Sequence, residues 1–298
     1  MMRRLAAAAA AILMTLQPAQ AEPRETIGTG RLFTNDYFGD GRDRWRSGSY
    51  VYSHLRANGP YDPANRAFGN IIEYRAMTEI ISPGAGGVDR PYVGAITLSA
   101  QTHFGDGPWH YALGADVAFI GPQTGLSVFQ EKFHDAFDLR APLTANQLPN
   151  ETIFGARASA TYTYRVSETV SLRPFAELRS GTEQIARIGA DVLIGNVGQD
   201  DLWLRDDVTG QPYRGTDAGQ TGWAVLAGAD IAAIGDSAYL PASRGVTALD
   251  QRQRARLGVL WQPAPNFTVF YGATYLSEEF DGQDGGQVLG SLRLGFNF

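Results

Sequence analysis

The sequence predicts an all-β fold: an antiparallel transmembrane β-barrel of about twelve strands, with one α-helix in an extracellular loop. The first observation is the end of the chain, where polar and apolar residues alternate from Ser291 to Phe298. This period of two is typical of a strand with one apolar face, and a terminal Phe is the usual ending of a bacterial outer-membrane barrel. The second observation is the mean hydropathy of −0.20, which is too polar for a helical membrane protein. It suits a barrel, because only alternate residues of each strand meet lipid.

The N-terminus has the pattern of a secretory signal peptide. Residues 1–4 include two arginines, an apolar run extends from Leu5 to Leu16, and Ala19 and Ala21 are the small residues of a cleavage site. The alternative is an N-terminal membrane anchor, but a spanning helix needs about 20 apolar residues. We therefore predict a signal peptide at 1–21 and an outer-membrane barrel domain at 22–298.

Segments with strand periodicity recur along the mature chain. Residues 170–179 are one example, with apolar residues at even positions up to Leu178. Such strands exist in lipid only as a closed sheet, because an open edge would leave backbone groups unpaired. The segments are 27–38, 46–57, 70–81, 92–104, 109–121, 151–165, 169–180, 183–197, 219–235, 250–262, 267–279 and 287–298.

An even number of strands places both termini in the periplasm. The tight turns at 105–108, 166–169 and 263–266 then lie in the periplasm. One pair of connections departs from the usual pattern, because the outer link at 181–182 is short while the periplasmic link at 198–218 is long. The longer connections are expected outside, at 39–45, 82–91, 122–150, 236–249 and 280–286.

The outer connection 122–150 is predicted to contain a helix. Between Thr124 and Leu139 the apolar residues recur at helical spacing. Pro122 precedes this stretch and Pro142 follows it, and both are plausible helix boundaries. One extracellular loop therefore holds an amphipathic helix of about four turns.

Composition excludes several classes of protein. The chain contains no cysteine, so its stability does not depend on disulfide bonds. Its formal net charge of −6 argues against a nucleic-acid partner. We expect a monomer whose partner is the membrane itself.

Polar residues cluster at the predicted outer rim. A neutral His near carboxylates can deprotonate water, and carboxylate and amide oxygens can hold a hard cation such as calcium. Each residue also has a structural interpretation: a solvated His, a turn-forming Asn-Asp pair, or Asp-Arg pairs that bind each other. The residues alone leave both possibilities open. They are Asn35, Asp36, Arg44, Ser47, Arg90, Gln130, His134, Asp138 and Gln147.

The order of these motifs resembles the outer-membrane lipid A 3-O-deacylase family. The resemblance covers about residues 32–155 and continues more loosely to the C-terminus. It implies a twelve-stranded barrel with a helix in an outer loop. It also implies a calcium-dependent hydrolase that removes the 3-linked acyl chain of lipid A in the outer leaflet. The motifs are Phe33-Thr-Asn-Asp36, Asp43-Arg44 with Ser47-Gly48, Asp89-Arg-Pro-Tyr-Val-Gly94, Ile120-Gly-Pro122, Gln130-x3-His134 and Asn146-Gln-Leu-x-Asn-Glu151.

The resemblance also implies roles for individual residues. His134 matches the general base, Asn35 and Asp36 match the Asn-Asp pair of the active site, and Gln130 and Gln147 match the positions that flank it. Asp36, Asn35 and Asp138 are the expected calcium ligands. Arg44, Arg46 and Arg90, with Ser47 and Gln147, are expected to contact the sugar phosphates or acidic core sugars.

Two positions depart from the family pattern. Arg46 stands where the family has a hydroxyl residue, although Ser47 is adjacent, and Arg140 stands where the family has Glu. Asp138 is one helical turn after His134 and is a candidate substitute for that Glu. These departures favour the alternative of a non-catalytic barrel that binds lipopolysaccharide. A barrel phospholipase is the third possibility.

Deleting Phe298 is expected to impair assembly of the barrel while leaving export intact, because the terminal strand would lose its last apolar residue. Heat-modifiable migration of the membrane fraction on gels measures assembly. Unchanged migration of the truncated chain would contradict the prediction.

Overall fold

A computed structural model describes residues 24–63, 66–84 and 89–296. The predicted signal peptide and Phe298 lie outside the described residues. Within the described ranges, no helix is long and apolar enough to cross a membrane. The elements are β1 (Glu25–Asn35), β2 (Trp45–Ala57), β3 (Arg66–Ser82), β4 (Val93–Gly105), β5 (Trp109–Ile120), α1 (Leu126–Ala136), β6 (Glu151–Tyr162), β7 (Tyr164–Ser167), β8 (Val170–Arg179), β9 (Glu183–Gly195), β10 (Trp203–Arg205), β11 (Pro212–Arg214), β12 (Gly222–Ser237), β13 (Gln251–Ala264), β14 (Phe267–Leu276) and β15 (Gln287–Phe296), with 3₁₀ turns at Pro122–Thr124 and Ala242–Arg244.

One antiparallel sheet closes on itself. Its strand order is β6-β5-β4-β3-β2-β1-β15-β14-β13-β12-β9-β8-β7, and β6 also pairs with β8. The first and last strands join where Phe33 lies opposite Leu292. Both β6 and β7 pair with β8, so they are two parts of one strand, interrupted at Thr163. The described residues thus form a closed barrel of twelve strands, and the predicted fold class is confirmed.

Strand β13 shows how sequence alternation produces the two faces of the barrel. Arg252, Arg254 and Arg256 are buried and point inward, whereas Leu257 and Val259 are exposed on the outer face. Because neighbouring residues of a strand point to opposite sides, a polar interior and an apolar exterior follow from the same segment.

Exposed aromatic side chains mark the two membrane interfaces. Rings at both edges of the outward apolar band are typical of transmembrane barrels. We call one set the periplasmic girdle, because its rings lie at the same end of the barrel as the two chain termini. Its members are Phe68, Trp109, Tyr164, Trp223, Trp261 and Phe296. The set at the opposite ends is called the outer girdle: Phe33, Phe154 and Tyr275.

The long periplasmic connection between β9 and β12 folds back into the barrel as a plug. It contains the short hairpin of β10 and β11. The Tyr213 side chain is buried, and its hydroxyl lies 2.9 Å from the Oγ of Ser53 on the inner wall. Gly28 lets the plug touch the wall, because a Cβ there would lie 2.1 Å from the Gly215 carbonyl oxygen. The unusual length of this connection is explained by its position in the lumen.

Charge pairs attach the plug to the wall. Asp207 lies between three arginines of the barrel, 2.9 Å from Arg157, 3.1 Å from Arg179 and 3.3 Å from Arg75. Two cavities remain in the lumen, and Asp207 lines both of them. The plug therefore divides the lumen at Asp207.

Asp207→Asn is expected to lower the free energy of unfolding by roughly 3–5 kcal/mol, because it leaves three buried guanidinium groups without their shared carboxylate. Urea unfolding in lipid vesicles, followed by tryptophan fluorescence, measures the change. Asp200→Asn is the matched control in the same connection. Its pair with Arg165 is exposed and should contribute less than about 1 kcal/mol. Equal effects of the two changes would show that Asp207 does not hold the plug.

Candidate active site on the outer rim

The loop helix α1 packs against the outer end of the barrel wall. The 3₁₀ turn before it reaches β4 at Gly94, where a Cβ would lie 2.8 Å from Thr124 Oγ1 and 3.0 Å from the Leu126 Cβ. The helix ends at Ala136 because Asp138 takes a left-handed conformation with φ of 54°. The predicted helix is therefore confirmed in place, but it is shorter than the stretch 124–139.

One face of α1 is buried against the barrel. Ser127, Gln130 and His134 occupy this face, at spacings of three and four residues. His134 is 8% exposed. The helix thus brings the predicted base and Gln130 together between the helix and the wall.

The His134 imidazole is held through one nitrogen and leaves the other as a base. Its Nδ1 lies 2.5 Å from the Arg140 carbonyl oxygen. Since a carbonyl only accepts, Nδ1 carries the proton and Nε2 presents its lone pair. That Nε2 lies 3.7 Å from the Asp43 carboxylate of the first outer loop. Arg140, the residue that departs from the family Glu, orients His134 through its backbone.

Asn35 and Asp36 lie where β1 gives way to the loop. The side-chain Nδ2 of Asn35 donates to the Ser47 backbone carbonyl at 2.8 Å. Its Oδ1 accepts a hydrogen bond from the Tyr37 backbone amide at 2.9 Å. Asp36 follows the strand end, so strand alternation no longer governs its direction. Its carboxylate accepts the Arg44 amide at 3.0 Å. The Asn35 side chain thus stabilises the turn that follows β1, and this turn places Asp36 in the candidate site.

Asp36 is a buried carboxyl group without an ion pair among the described residues. It is 2% exposed. Burial, opposed by the Arg44 amide and reinforced by the charge of Asp43, raises the pKa of Asp36 to about 8. With that pKa the Asp36 carboxyl group is largely protonated at neutral pH, and a cation beside it would favour the carboxylate form.

Tyr92 is a site residue that the sequence analysis did not select. Its side chain is fully buried, and its hydroxyl has no hydrogen-bond partner within the described part of the chain. Burial, with the nearby charges of Asp43 and Glu131, raises the pKa of the Tyr92 hydroxyl, so it remains a proton donor. The motif 89–94 was the signal that pointed to this position.

Comparison with known proteins identifies the family. A family model described as outer membrane protein LpxR matches residues 5–298. The chain belongs to the LpxR family. This match places the protein in the bacterial outer membrane. No curated protein matches the chain in sequence.

The fold of this LpxR-family barrel is similar to that of LpxR from Salmonella typhimurium. The TM-score is 0.73 and the identity 15%, over 91% of this chain and 100% of that chain. Two other barrels are less similar over the same shares of chain. They are the β domain of the Bordetella autotransporter BrkA, with a TM-score of 0.44 and 11% identity, and the NanC porin, with 0.43 and 8%.

Two of the predicted substrate-binding arginines lie inside the LpxR-family barrel. Arg46 pairs with three buried glutamates, Glu79 at 2.5 Å, Glu279 at 2.8 Å and Glu183 at 3.1 Å. The fully buried Arg90 donates to Glu279 at 2.7 Å. These positions differ from the expected contacts with lipid phosphates, because both guanidinium groups already compensate buried carboxylates.

The remaining predicted residues stay near the rim. Arg44 stacks its guanidinium 4.0 Å from the centre of the Trp45 ring. The Gln130 Oε1, Gln147 Nε2 and Ser47 Oγ atoms are buried without a hydrogen-bond partner among the described residues. Such atoms carry a desolvation cost unless a ligand or water satisfies them. Their hydrogen-bonding capacity is unused within the described part of the chain.

The structure places the three predicted calcium ligands differently, and calcium binding by them stays a prediction. Among the described residues, no group of three or more His, Asp or Glu side chains is arranged to hold a metal ion. Asn35 uses both amide atoms in backbone hydrogen bonds. Asp138 is exposed beyond the helix end. The buried Asp36 carboxyl group is the predicted ligand that fits a cation.

Proposed function

We propose that this LpxR-family barrel is a lipid A 3-O-deacylase, which hydrolyses the ester of a 3-linked acyl chain of lipid A in the outer leaflet. The observation that carries the proposal is the orientation of the His134 ring, which its two neighbours define. Its Nδ1 is tied to the Arg140 carbonyl and its Nε2 faces Asp43 across 3.7 Å. The motif order that resembles the deacylase family, together with membership of the LpxR family, supports the same activity.

His134 acts as the general base in this reaction. Nε2 takes a proton from water, and the resulting hydroxide attacks the acyl carbonyl. The tetrahedral intermediate then expels the sugar oxygen, which receives the proton from the imidazolium. The Asp43 carboxylate stabilises the imidazolium, because opposite charges at this distance attract. The products are a free fatty acid and a lipid A hydroxyl group.

Asp36 and Tyr92 stabilise charge in this proposal. A calcium ion held by Asp36 would act as a Lewis acid and lower the energy of the ester oxyanion. The Tyr92 hydroxyl keeps its proton and has no partner among the described residues, so it is able to donate to a substrate oxygen. Arg44, at the rim and paired there with Asp40 at 3.4 Å, is the proposed contact for an anionic head group.

A non-catalytic barrel that binds lipopolysaccharide is the alternative, and one observation favours it. Arg140 and Arg46 replace residues that the family pattern expects to be acidic and hydroxylic. The Arg140 carbonyl nevertheless holds the imidazole, so the orientation of His134 does not need an acidic side chain at that position. A barrel phospholipase would share the same base and differ only in the lipid it hydrolyses.

His134→Ala is expected to lower the deacylation rate by about 10²–10⁴-fold, the usual contribution of a general base. His134→Asn should have the same effect, since an amide does not accept the proton. Mass spectrometry of lipid A incubated with the purified barrel measures the loss of the acyl chain. His54→Ala is the control, because that side chain lies towards the periplasmic end of β2, away from the candidate site, and bonds only Thr26 in the described structure.

Full activity of His134→Ala would refute the mechanism. A wild-type protein inactive on lipid A and on phospholipids would favour the non-catalytic alternative. Release of fatty acid from phospholipid alone would favour the phospholipase.

Calcium chelation is expected to abolish deacylation, and Asp36→Asn should raise the calcium concentration needed for half-maximal rate, because a neutral amide binds the ion less strongly than a carboxylate. A calcium titration of the initial rate measures this shift. Asp138→Asn is the matched comparison, and it should leave the requirement unchanged because Asp138 is exposed beyond the helix. If only the Asp138 variant needed more calcium, the calcium ligand would be Asp138 and not Asp36.

A further inference from the structure

Two groups of exposed aromatic rings border the candidate site. The helix row consists of Phe129, Phe133 and Phe137, and the loop patch consists of Phe33, Tyr37 and Phe38. Phe137 is 64% exposed and Tyr37 is 73% exposed. Clustered apolar rings of this kind usually meet a partner, because water solvates them poorly.

The helix row follows its own flank of α1 and ends at Phe137, the residue directly after the helix. Its members are four residues apart, with ring centres 6.3 Å apart for Phe129 and Phe133 and 4.7 Å apart for Phe133 and Phe137. Charged side chains occupy a different flank, and the buried face with His134 lies against the barrel. A helix with one charged flank and one aromatic flank is typical of a membrane interface. The charged residues are Glu131, Lys132 and Asp135.

The loop patch lies on the outer surface of the barrel. Phe38 is held there by its carbonyl, which accepts the Tyr271 hydroxyl of β14 at 3.0 Å. Gly290 of β15 makes room for the loop, since a Cβ there would lie 2.3 Å from the same carbonyl oxygen. The Asp40 amide donates to the Val288 carbonyl at 3.1 Å. The segment thus folds over β15 with backbone groups satisfied, as a segment in contact with lipid requires.

The loop patch is continuous with the lipid-facing surface. Phe33 belongs to the outer girdle, and its ring centre lies 6.1 Å from that of Phe38. The Phe38 ring in turn lies 6.2 Å from that of Tyr37. The exposed aromatic surface that begins at Phe33 therefore extends to Tyr37.

Both groups adjoin residues of the candidate site. Tyr37 follows Asp36 in the chain, and the Phe133 ring centre lies 6.4 Å from that of His134. The contact of 3.7 Å between His134 and Asp43 joins the helix to the first loop. The aromatic groups therefore flank the place where an ester would be cleaved.

We propose that the helix row and the loop patch are immersed in the outer leaflet and hold acyl chains of a membrane lipid on both sides of the site. The occupant is acyl chain, because one patch is continuous with the lipid-facing wall and the other has the flank pattern of an interfacial helix. The identity of the lipid as substrate rests on the proposed function, whereas the immersion of the rings does not.

Spin labels at single cysteines test the immersion, since the natural chain contains no cysteine. Phe129→Cys, Phe137→Cys and Tyr37→Cys are labelled and reconstituted in phosphatidylethanolamine–phosphatidylglycerol vesicles. Oxygen concentrates in the acyl layer and a nickel chelate in water. We expect these labels to collide more with oxygen than with nickel. Lys132→Cys, on the charged flank of the same helix, is the matched control and should collide more with nickel. Nickel-dominated collisions at positions 129, 137 and 37 would overturn the inference.

Kinetics test the link to the substrate. The double variant Phe129→Ser with Phe137→Ser should lower the rate on lipid A in vesicles by at least about tenfold, because two apolar contacts with acyl chains are lost. The rate on lipid A dispersed in detergent should change little, since His134 and Asp43 are untouched. Equal losses on both substrates would contradict acyl-chain binding by these rings. No deacylation by the wild type, together with oxygen-exposed labels at the three cysteine variants, would refute the proposed function and leave the immersion of the rings supported.

Discussion

Hydrocarbon supplies no partner for a backbone amide, and this constraint organises the molecule. Every strand must pair on both sides, so the sheet has to close. Closure joins β1 to β15 at one seam and β6 with β7 to β8 at another. The same constraint applies where the first loop leaves its strand, since Phe38 and Asp40 find partners on β14 and β15. The position of the candidate site therefore depends on how the backbone leaves the barrel.

The polar character of the barrel interior follows from the residues that alternate with the apolar ones along each strand. Once the apolar residues of each strand face lipid, the polar residues face the lumen, and many of them are arginines. Buried guanidinium groups need carboxylates. Part of this compensation comes from the wall, as with Asp230 between Arg254 and Arg256, and part from the plug through Asp207. The periplasmic connection is thus part of the charge balance of the barrel, and it separates the two lumen cavities.

The sequence predicted what depends on local periodicity. The strands, the closed barrel and the loop helix follow from patterns that each segment carries by itself. The plug was missed because β10 and β11 have three residues each, too short for any period to show. Arg46 and Arg90 resembled rim residues, since the charges that surround them come from distant strands and loops. Tyr92 lies in the motif 89–94 but carries no charge, and its burial beside Asp43 and Glu131 became apparent only in the structure.

The candidate site lies outside both lumen cavities. Neither cavity is lined by Asp36, Asp43 or His134. The plug lies in the lumen, whereas the helix that carries His134 also carries exposed rings, and Asp36 precedes the exposed Tyr37. A lipid that approaches laterally would bring its acyl chains to these rings before its ester met the imidazole. An ester substrate of this kind would then remain partly in the bilayer throughout hydrolysis, since no step requires it to leave.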